Sequence, residues 1–515
     1  MPEMTLQQAL ELAAQHYQEG RIRDSESLLR QILAQKADQP DALHLLALIA
    51  QQCGHQEAAI ELLRRTIARL PDVADPYANL GVVLANLQRF DEAIEQYNRA
   101  LALDPNHPFT RNNLGNALAR TGRPVEAEAE FRRALELRPQ FPEAINNLGL
   151  ALRDQGKAQE AIPYFHRAIA LKPTYAEAYN NLGAALERLG RHVDSVDAYR
   201  QALALQPDYG VAQFNLGIAL LLQGDFQQGW PLYESRQVMM ESSVRRDFAQ
   251  PLWDGSALNG KSILLHAEQG HGDTIQFVRY APMVAARGGQ VILQCQPALV
   301  RLLAAQGTFG KVVAQGEPEP QFDLHCPLMS LGRIFDTTLN TIPQTIPYIR
   351  ADVTLVEQWR TRLAPFKDKL KIGLAWAGNA THIFDRERSL PLSMLAPLGQ
   401  IDGAHFFSLQ KGPRAQQAKS PPMSNFTDFT ESLDDFADTA ALVENLDLVI
   451  AVDTAIVHLA GAMGKPAWVL LPFAPDWRWM LHREDSPWYP ALRLFRQPTR
   501  GDWDTPIGKI VEQLR

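Results

Sequence analysis

NLGVVLANLQRFDEAIEQYNRALALDPNHPFTRNNLG, residues 79–115, holds one full period of a repeat. Its opening triplet, Asn79-Leu80-Gly81, returns at Asn113-Leu114-Gly115, Asn147-Leu148-Gly149, Asn181-Leu182-Gly183 and Asn215-Leu216-Gly217, each time 34 residues on. The same step carries Pro71, Pro105, Pro139, Pro173 and Pro207, where a missing amide N–H ends one helix pair before the next begins. It also carries Ala93, Ala127 and Ala161, the aromatics Tyr97, Phe131, Phe165 and Tyr199, and Ala100, Ala134, Ala168 and Ala202. Gly20, Gly54, Gly122, Gly156, Gly190 and Gly224 share a further phase, at the turn between helices, and extend the array back to weaker repeats near Leu12 and Leu46. The period implies about seven stacked helix pairs with atypical capping units at the ends.

This pattern resembles the tetratricopeptide repeat. Small residues let the two helices of a unit approach, and the aromatic is expected to fill the space between neighbouring units. In this family the inner helices line a concave groove, so Asn79, Asn113, Asn147, Asn181 and Asn215 form a ladder along it. An amide side chain both donates and accepts, and such a ladder can hold an extended peptide by its backbone. The array is similar to that of the nucleocytoplasmic O-GlcNAc transferases, where asparagines in this phase grip the acceptor polypeptide. The alternative is that these asparagines pack locally.

At 515 residues the chain is long enough for three structural units. A net charge of −8 without a long basic run argues against an electrostatic grip on nucleic acid or an anionic membrane. Neither a signal-peptide pattern at the start nor a run of about 18 apolar residues occurs, so a soluble, cytoplasmic protein without a membrane span is expected. Cys53, Cys295 and Cys326 are far apart and match no metal-ligand spacing, which fits free thiols.

After about Tyr233 the repeat phase fails, and short apolar strands begin to alternate with helices. Strands are expected at 263–266, 291–293, 312–313 and 323–326, with a helix from Asp273 to about Arg287. A second set begins at Lys371 and runs through 405–409, 447–451 and 467–471, with helices at 435–445 and 455–464. The reading is an α-solenoid over 1–236, an acceptor-side α/β lobe over 237–350 and a donor-side lobe over 351–515, the two lobes Rossmann-like and facing across a cleft. In open parallel sheets ligands bind at the carboxyl ends of strands, which directs attention to the loops after His266, Trp376, Leu409, Val452 and Leu471.

The segment from Asp453 to Pro466, DTAIVHLAGAMGKP, directly follows an apolar strand. Small residues at a strand-to-helix turn let free N–H groups at the helix N-terminus meet a phosphate. The segment closely resembles the donor-binding stretch of the ADP-heptose:lipopolysaccharide heptosyltransferases, which have the GT-B fold. The resemblance implies contact of Asp453, Thr454 and Ala455 with a nucleotide sugar, although Ala455 stands where that family commonly has glycine. A plain helix cap is the other explanation of Asp453. His458, one turn on, either reaches the site or packs beneath it.

The loop Glu268-Gln269-Gly270-His271-Gly272-Asp273 resembles the glycine-aspartate turn of the same family, whose aspartate is the proposed base. The role falls on Asp273, whose anion a helix N-terminus favours, with a capping role as the alternative. His271 is a rival base, because imidazole titrates near neutrality. In the loop after the strand at 371, Gly378-Asn379 and Arg386, Arg388 and Ser389 stand where related enzymes place a lysine against the departing diphosphate, with Gln410-Lys411 a weaker candidate. The aromatics at 477–479 and 488–489 either stack on a ligand or seal the core, and Asp502-Trp503-Asp504 reads as helix capping, so no metal is expected.

Together these resemblances imply an inverting glycosyltransferase without a resident cofactor or metal. Its donor is a nucleotide sugar and its acceptor a Ser or Thr hydroxyl of a protein or peptide held by the repeats. Two alternatives stand beside it: a transferase acting on lipopolysaccharide or another glycan, and a non-enzymatic repeat adaptor with a degenerate transferase module.

Overall fold

The computed structural model describes residues 4–239, 246, 248–380 and 385–515. The chain divides into two compact units, Met1–Pro207 and Asp208–Arg515. The first unit is twelve helices in six antiparallel pairs, from Leu6–Gln18 to His192–Leu205. It is a tetratricopeptide solenoid.

The repeat residues explain the pairing. A Cβ on Gly81 would stand 2.5 Å from the Tyr97 ring, and Gly115, Gly149 and Gly183 meet Phe131, Phe165 and Tyr199 in the same way at 2.6, 2.7 and 2.6 Å. The aromatic therefore fills a notch in the inner helix of its own pair, rather than only the gap between neighbouring pairs. Each ring is fully or almost fully buried. Turn glycines at 20, 54, 122, 156, 190 and 224 adopt φ between +72° and +86°, the left-handed region that a side chain disfavours. At the matching position of the third repeat Gln88 takes φ +60° without that freedom.

The second unit opens with the helix pair Gly210–Leu222 and Phe226–Tyr233. This pair has the repeat sequence but packs as part of the α/β body, which moves the division from the expected residue 236 to 207/208. The reason is its outer helix: Phe226, Trp230 and Tyr233 are buried in one core with Trp253, Phe277, Trp477 and Trp488. Trp230 sits 5.3 Å edge-on from Trp477, donates its indole N–H to Thr337 O at 2.9 Å, and fills the space that a side chain on Gly332 would need.

Two all-parallel sheets follow. The first contains β1 (Ser262–His266), β2 (Gln290–Cys295), β3 (Lys311–Ala314) and β4 (Leu324–Pro327), in the order β3-β2-β1-β4. The second contains β5 (Leu370–Ala375), β6 (Ala404–Ser408), β7 (Phe426–Thr427), β8 (Leu448–Val452), β9 (Ala467–Leu471) and β10 (Leu492–Arg496), in the order β10-β9-β8-β5-β6-β7. Counted from the start of the lobe, this is the dinucleotide-binding order 6-5-4-1-2-3. Both lobes are Rossmann-like. Sequence reading missed β7, which is two residues long, and β10. The expected helix 273–287 is interrupted: it runs His271–Phe277, tightens to a 3-10 turn, and resumes at Ala281–Ala285, where Pro282 offers no amide N–H.

Candidate functional site

In a sheet of this order the strand connections reverse direction between β5 and β8, opening a crevice at their carboxyl ends. The loop after β8 is Asp453-Thr454, leading into the helix Ala455–Ala462. Thr454 is the N-cap, yet its hydroxyl makes no cap bond and is buried without any hydrogen-bond partner. Asp453 is therefore not the cap. It is 9 % exposed and forms no salt bridge among the described residues. Burial, reinforced by nearby Asp476, raises its pKa to about 6, against the opposing pull of Arg388, the Trp479 indole and Arg478. The Trp479 N–H acts on Asp453 without reaching ordinary hydrogen-bond geometry.

His458 packs beneath the turn. Its Nδ1 lies 3.0 Å from the Tyr489 hydroxyl, its ring presses on Gly272, and burial holds its pKa well below the usual value. It is a buried neutral imidazole that supports the crevice rather than lining it.

The loop after β5 is built by side chains that the backbone consumes. Gln410 Oε1 accepts from Trp376 N and Ala377 N at 3.0 and 2.8 Å, while its Nε2 donates to Ala377 O and Lys411 O. Lys411 Nζ donates to the carbonyls of Thr430 and Leu433, both at 2.8 Å. Gln410 and Lys411 thus brace the loop, with both amide groups of Gln410 and two of the three Lys411 N–H donors engaged by the backbone. Ser389 is likewise engaged: its hydroxyl accepts from Gly378 N at 2.9 Å and donates to buried Asp385 at 2.7 Å. Arg414 holds the other Asp385 oxygen at 3.0 Å.

Arg388 is different. Its guanidinium lies against Gly378, its Nε is 3.8 Å from Asp385 and has no hydrogen bond, and its charge is felt at Asp453. Arg386 is exposed, and residues 381–384, between Asn379 and this turn, lie outside the described residues.

On the first lobe, the helix after β1 packs directly on the helix after β8, so a Cβ on Gly272 would stand 3.5 Å from Ala455 Cα. Asp273 stands in the first turn of that helix, His271–Phe277, where its Oδ2 accepts from Gly270 N at 2.8 Å. Its Oδ1 pairs with Arg478. That guanidinium is 6 % exposed, bonds Asp476 at 2.9 Å and Gln276 at 2.5 Å, and stacks 4.4 Å from the Trp477 ring centroid. Burial opposes its charge, but Asp476 and Asp273 outweigh burial and raise its pKa. Sequence reading missed this hub, because at 476–479 it weighed only the aromatics, for stacking on a ligand or sealing the core, and gave Arg478 no role. His271 stacks on Phe436, with centroids 5.2 Å apart, and burial lowers its pKa against the pull of Asp273.

In the solenoid the asparagine ladder is partly spent. Asn79 Nδ2 lies 2.8 Å from His44 Nε2, Asn147 Nδ2 donates to Asn112 Oδ1 at 3.0 Å, and Asn181 Nδ2 donates to Asn146 Oδ1 at 3.1 Å. Asn113 Oδ1 accepts from neighbouring Asn112 at 3.4 Å. Asn79, Asn147 and Asn181 thereby join successive inner helices, while the Asn112–Asn113 contact stays within one. Asn215 belongs to the second unit. Asp502 accepts from Thr505 N and Oγ1 as a helix cap, and among the described residues no group of three or more His, Cys, Asp or Glu is placed to hold a metal.

Tetratricopeptide-repeat family models match residues 72–140, 141–208 and 194–234. Protein FlbA of Caulobacter vibrioides is 27% identical over 320 residues, which cover 58% of this chain and 53% of FlbA. The chain thus spans about half the length of that curated relative. Among solved structures, YrrB, described as a TPR protein with an unusual peptide-binding site, is 21% identical over 36% of this chain and 95% of its own, with a TM-score of 0.31. PilW, a type IV pilus biogenesis factor, is 24% identical over 41% and 98%, with a TM-score of 0.38.

Proposed function

We propose that this chain is an inverting glycosyltransferase that moves a sugar from a nucleotide sugar to a Ser or Thr hydroxyl of a protein held by the repeats. One observation carries the reading: at the β5/β8 crevice an under-partnered guanidinium, Arg388, and an unpartnered hydroxyl, Thr454, stand with Asp453 at a helix N-terminus. Such a set fits a diphosphate, whose negative charge grows as the sugar leaves. The acceptor oxygen attacks the anomeric carbon in line, the bond to the diphosphate breaks with its electron pair, and the hydroxyl proton passes to a carboxylate. Asp273 is the acceptor-side carboxylate, 21 % exposed at its side chain. Taking the proton requires Arg478 to relax toward Asp476, which it already binds.

The likeness to GT-B heptosyltransferases in the Asp453 and Asp273 segments supports the same reading. A second one, a peptide-binding adaptor, draws on the engagement of both Asp273 oxygens. Thermal-shift and donor-hydrolysis assays with a panel of nucleotide sugars separate the two. A donor response lost in Asp453→Ala is the expected result, and no response to any donor would sink the transferase reading. Intact-mass analysis of co-expressed proteins then tests the acceptor, because sugar found only on glycan would defeat protein transfer.

A further inference from the structure

We infer that the diphosphate ligand of the β5/β8 crevice binds with uptake of one proton, held by Asp453 as a neutral carboxylic acid that donates to a phosphate oxygen. The inference rests on the nucleotide-sugar reading and adds the protonation state that recognition requires.

Three carboxylates, Asp273, Asp453 and Asp476, stand around the buried guanidinium of Arg478, and two of them hold it directly. Arg388 is the other cation acting on Asp453, and Asp385, 3.8 Å away, already draws on its charge. From its own helix Asp453 faces His458, which burial keeps neutral. The loop after β9 contributes Asp476, Arg478 and the Trp479 indole, and the loop after β5 contributes Arg388. Arg414 binds the other Asp385 oxygen, so with every carboxylate ionised four negative charges face three positive ones before any ligand arrives.

An anion settling at the N-terminus of the helix Ala455–Ala462 must come beside Asp453, two residues before that helix. Two negative oxygens in contact repel strongly where water is scarce. Asp273 and Asp476 cannot relieve this cheaply, since each would surrender an ion pair with Arg478. Asp453 has no such pair to lose. Its proton affinity is already raised by burial, and a bound diphosphate raises it further. Once protonated it has an O–H to offer a phosphate oxygen.

The test is calorimetric titration of the full chain with UDP-glucose, GDP-mannose and ADP-glucose, whose diphosphodiesters do not titrate near neutrality. Titrations run at about pH 6, 7 and 8, in buffers of different ionisation enthalpy, with and without EDTA. Expected are uptake of about one proton per ligand at the higher pH values and an affinity falling about tenfold per pH unit above pH 7. Asp453→Asn, with its melting temperature checked, should bind independently of pH and more tightly than the parent at pH 8. Affinity that is flat across this range with no proton uptake would overturn the inference while leaving the donor site standing. So would loss of binding in a folded Asp453→Asn, or binding that EDTA abolishes and magnesium restores. No binding by any of the three at pH 6 would remove the nucleotide-sugar reading and the inference together.

Discussion

Arg388 and Gly378 are built as a pair: a Cβ at position 378 would stand 2.7 Å from both Nε and Nη2 of the arginine. The atoms in the way are the end of a flexible side chain, so Gly378→Ala should move Arg388 and leave the fold intact. Nucleotide-sugar affinity is expected to fall by about tenfold, the scale of one charge-assisted hydrogen bond. Titration of the variant beside Arg388→Ala checks this, since the two should lose similar affinity.

Arg478 holds Asp273, Asp476 and Gln276 in a dry setting, and removing it leaves Asp273 without its charge partner. Arg478→Gln should destabilise the second unit by about 2–3 kcal/mol, less than for a fully buried pair because Asp273 and Asp476 are partly exposed. Urea unfolding followed by tryptophan fluorescence reads that unit selectively, because all nine tryptophans of the chain lie beyond residue 207.

Asp273→Asn tests the proposed base. The amide oxygen can still accept from Gly270 N, so the turn should persist. Transfer should drop by about 10²-fold or more while donor binding remains. Equal activity in the variant would assign proton transfer elsewhere.

The solenoid offers a prediction of opposite sign. Gln88 takes a left-handed conformation where six other repeats have glycine. Gln88→Gly removes Cβ strain of about 1–2 kcal/mol and adds unfolded-state entropy of about 0.5–1 kcal/mol, for a net gain of up to about 1.5 kcal/mol. Gly115→Ala, which drives a methyl into the Phe131 ring, should cost about 1–3 kcal/mol. Thermal unfolding by circular dichroism measures both.

Stability should also fall on mild acidification. His458 and His266 are buried neutral, with His266 lowered to about 3 chiefly by burial and then by His325. A depressed folded pKa means that the unfolded chain binds more protons, so stability is lost as pH drops below about 6.5. Asp453 works the other way, because its raised pKa favours the fold at low pH and this contribution fades as pH rises from about 3.8 towards about 6. In the second unit the lowered histidines, His271, His325 and His405 beside these two, outnumber the raised carboxylates Asp453 and Glu268, which predicts a net decline in the urea midpoint between about pH 6.5 and 5, shallower in His266→Gln.

The parts of this molecule that repeat or follow chain order were legible in the sequence. Glycine and aromatic recur in phase, so helix pairs could be read directly, although the partner of Tyr97 proved to be Gly81 of its own pair. The Asp453 turn was equally visible as a strand, a small-residue turn and a helix. What escaped was pairing across long stretches of chain. Arg478 meets Asp273 from 205 residues away, and nothing local in either segment announces it. Gln410 and Lys411 sit at a strand end, where ligands usually bind, yet they spend their polar atoms on carbonyls and amides whose positions only the fold sets.

The aromatic face of Phe226, Trp230 and Tyr233 has an architectural consequence. Because the last helix pair is cemented into the α/β body, the seam where repeats can be added or removed lies upstream of Asp208. Whole 34-residue steps can come and go there without reopening that core. A chain organised in this way can lengthen or shorten its repeat array in whole helix pairs, while the α/β body stays an unchanged chassis.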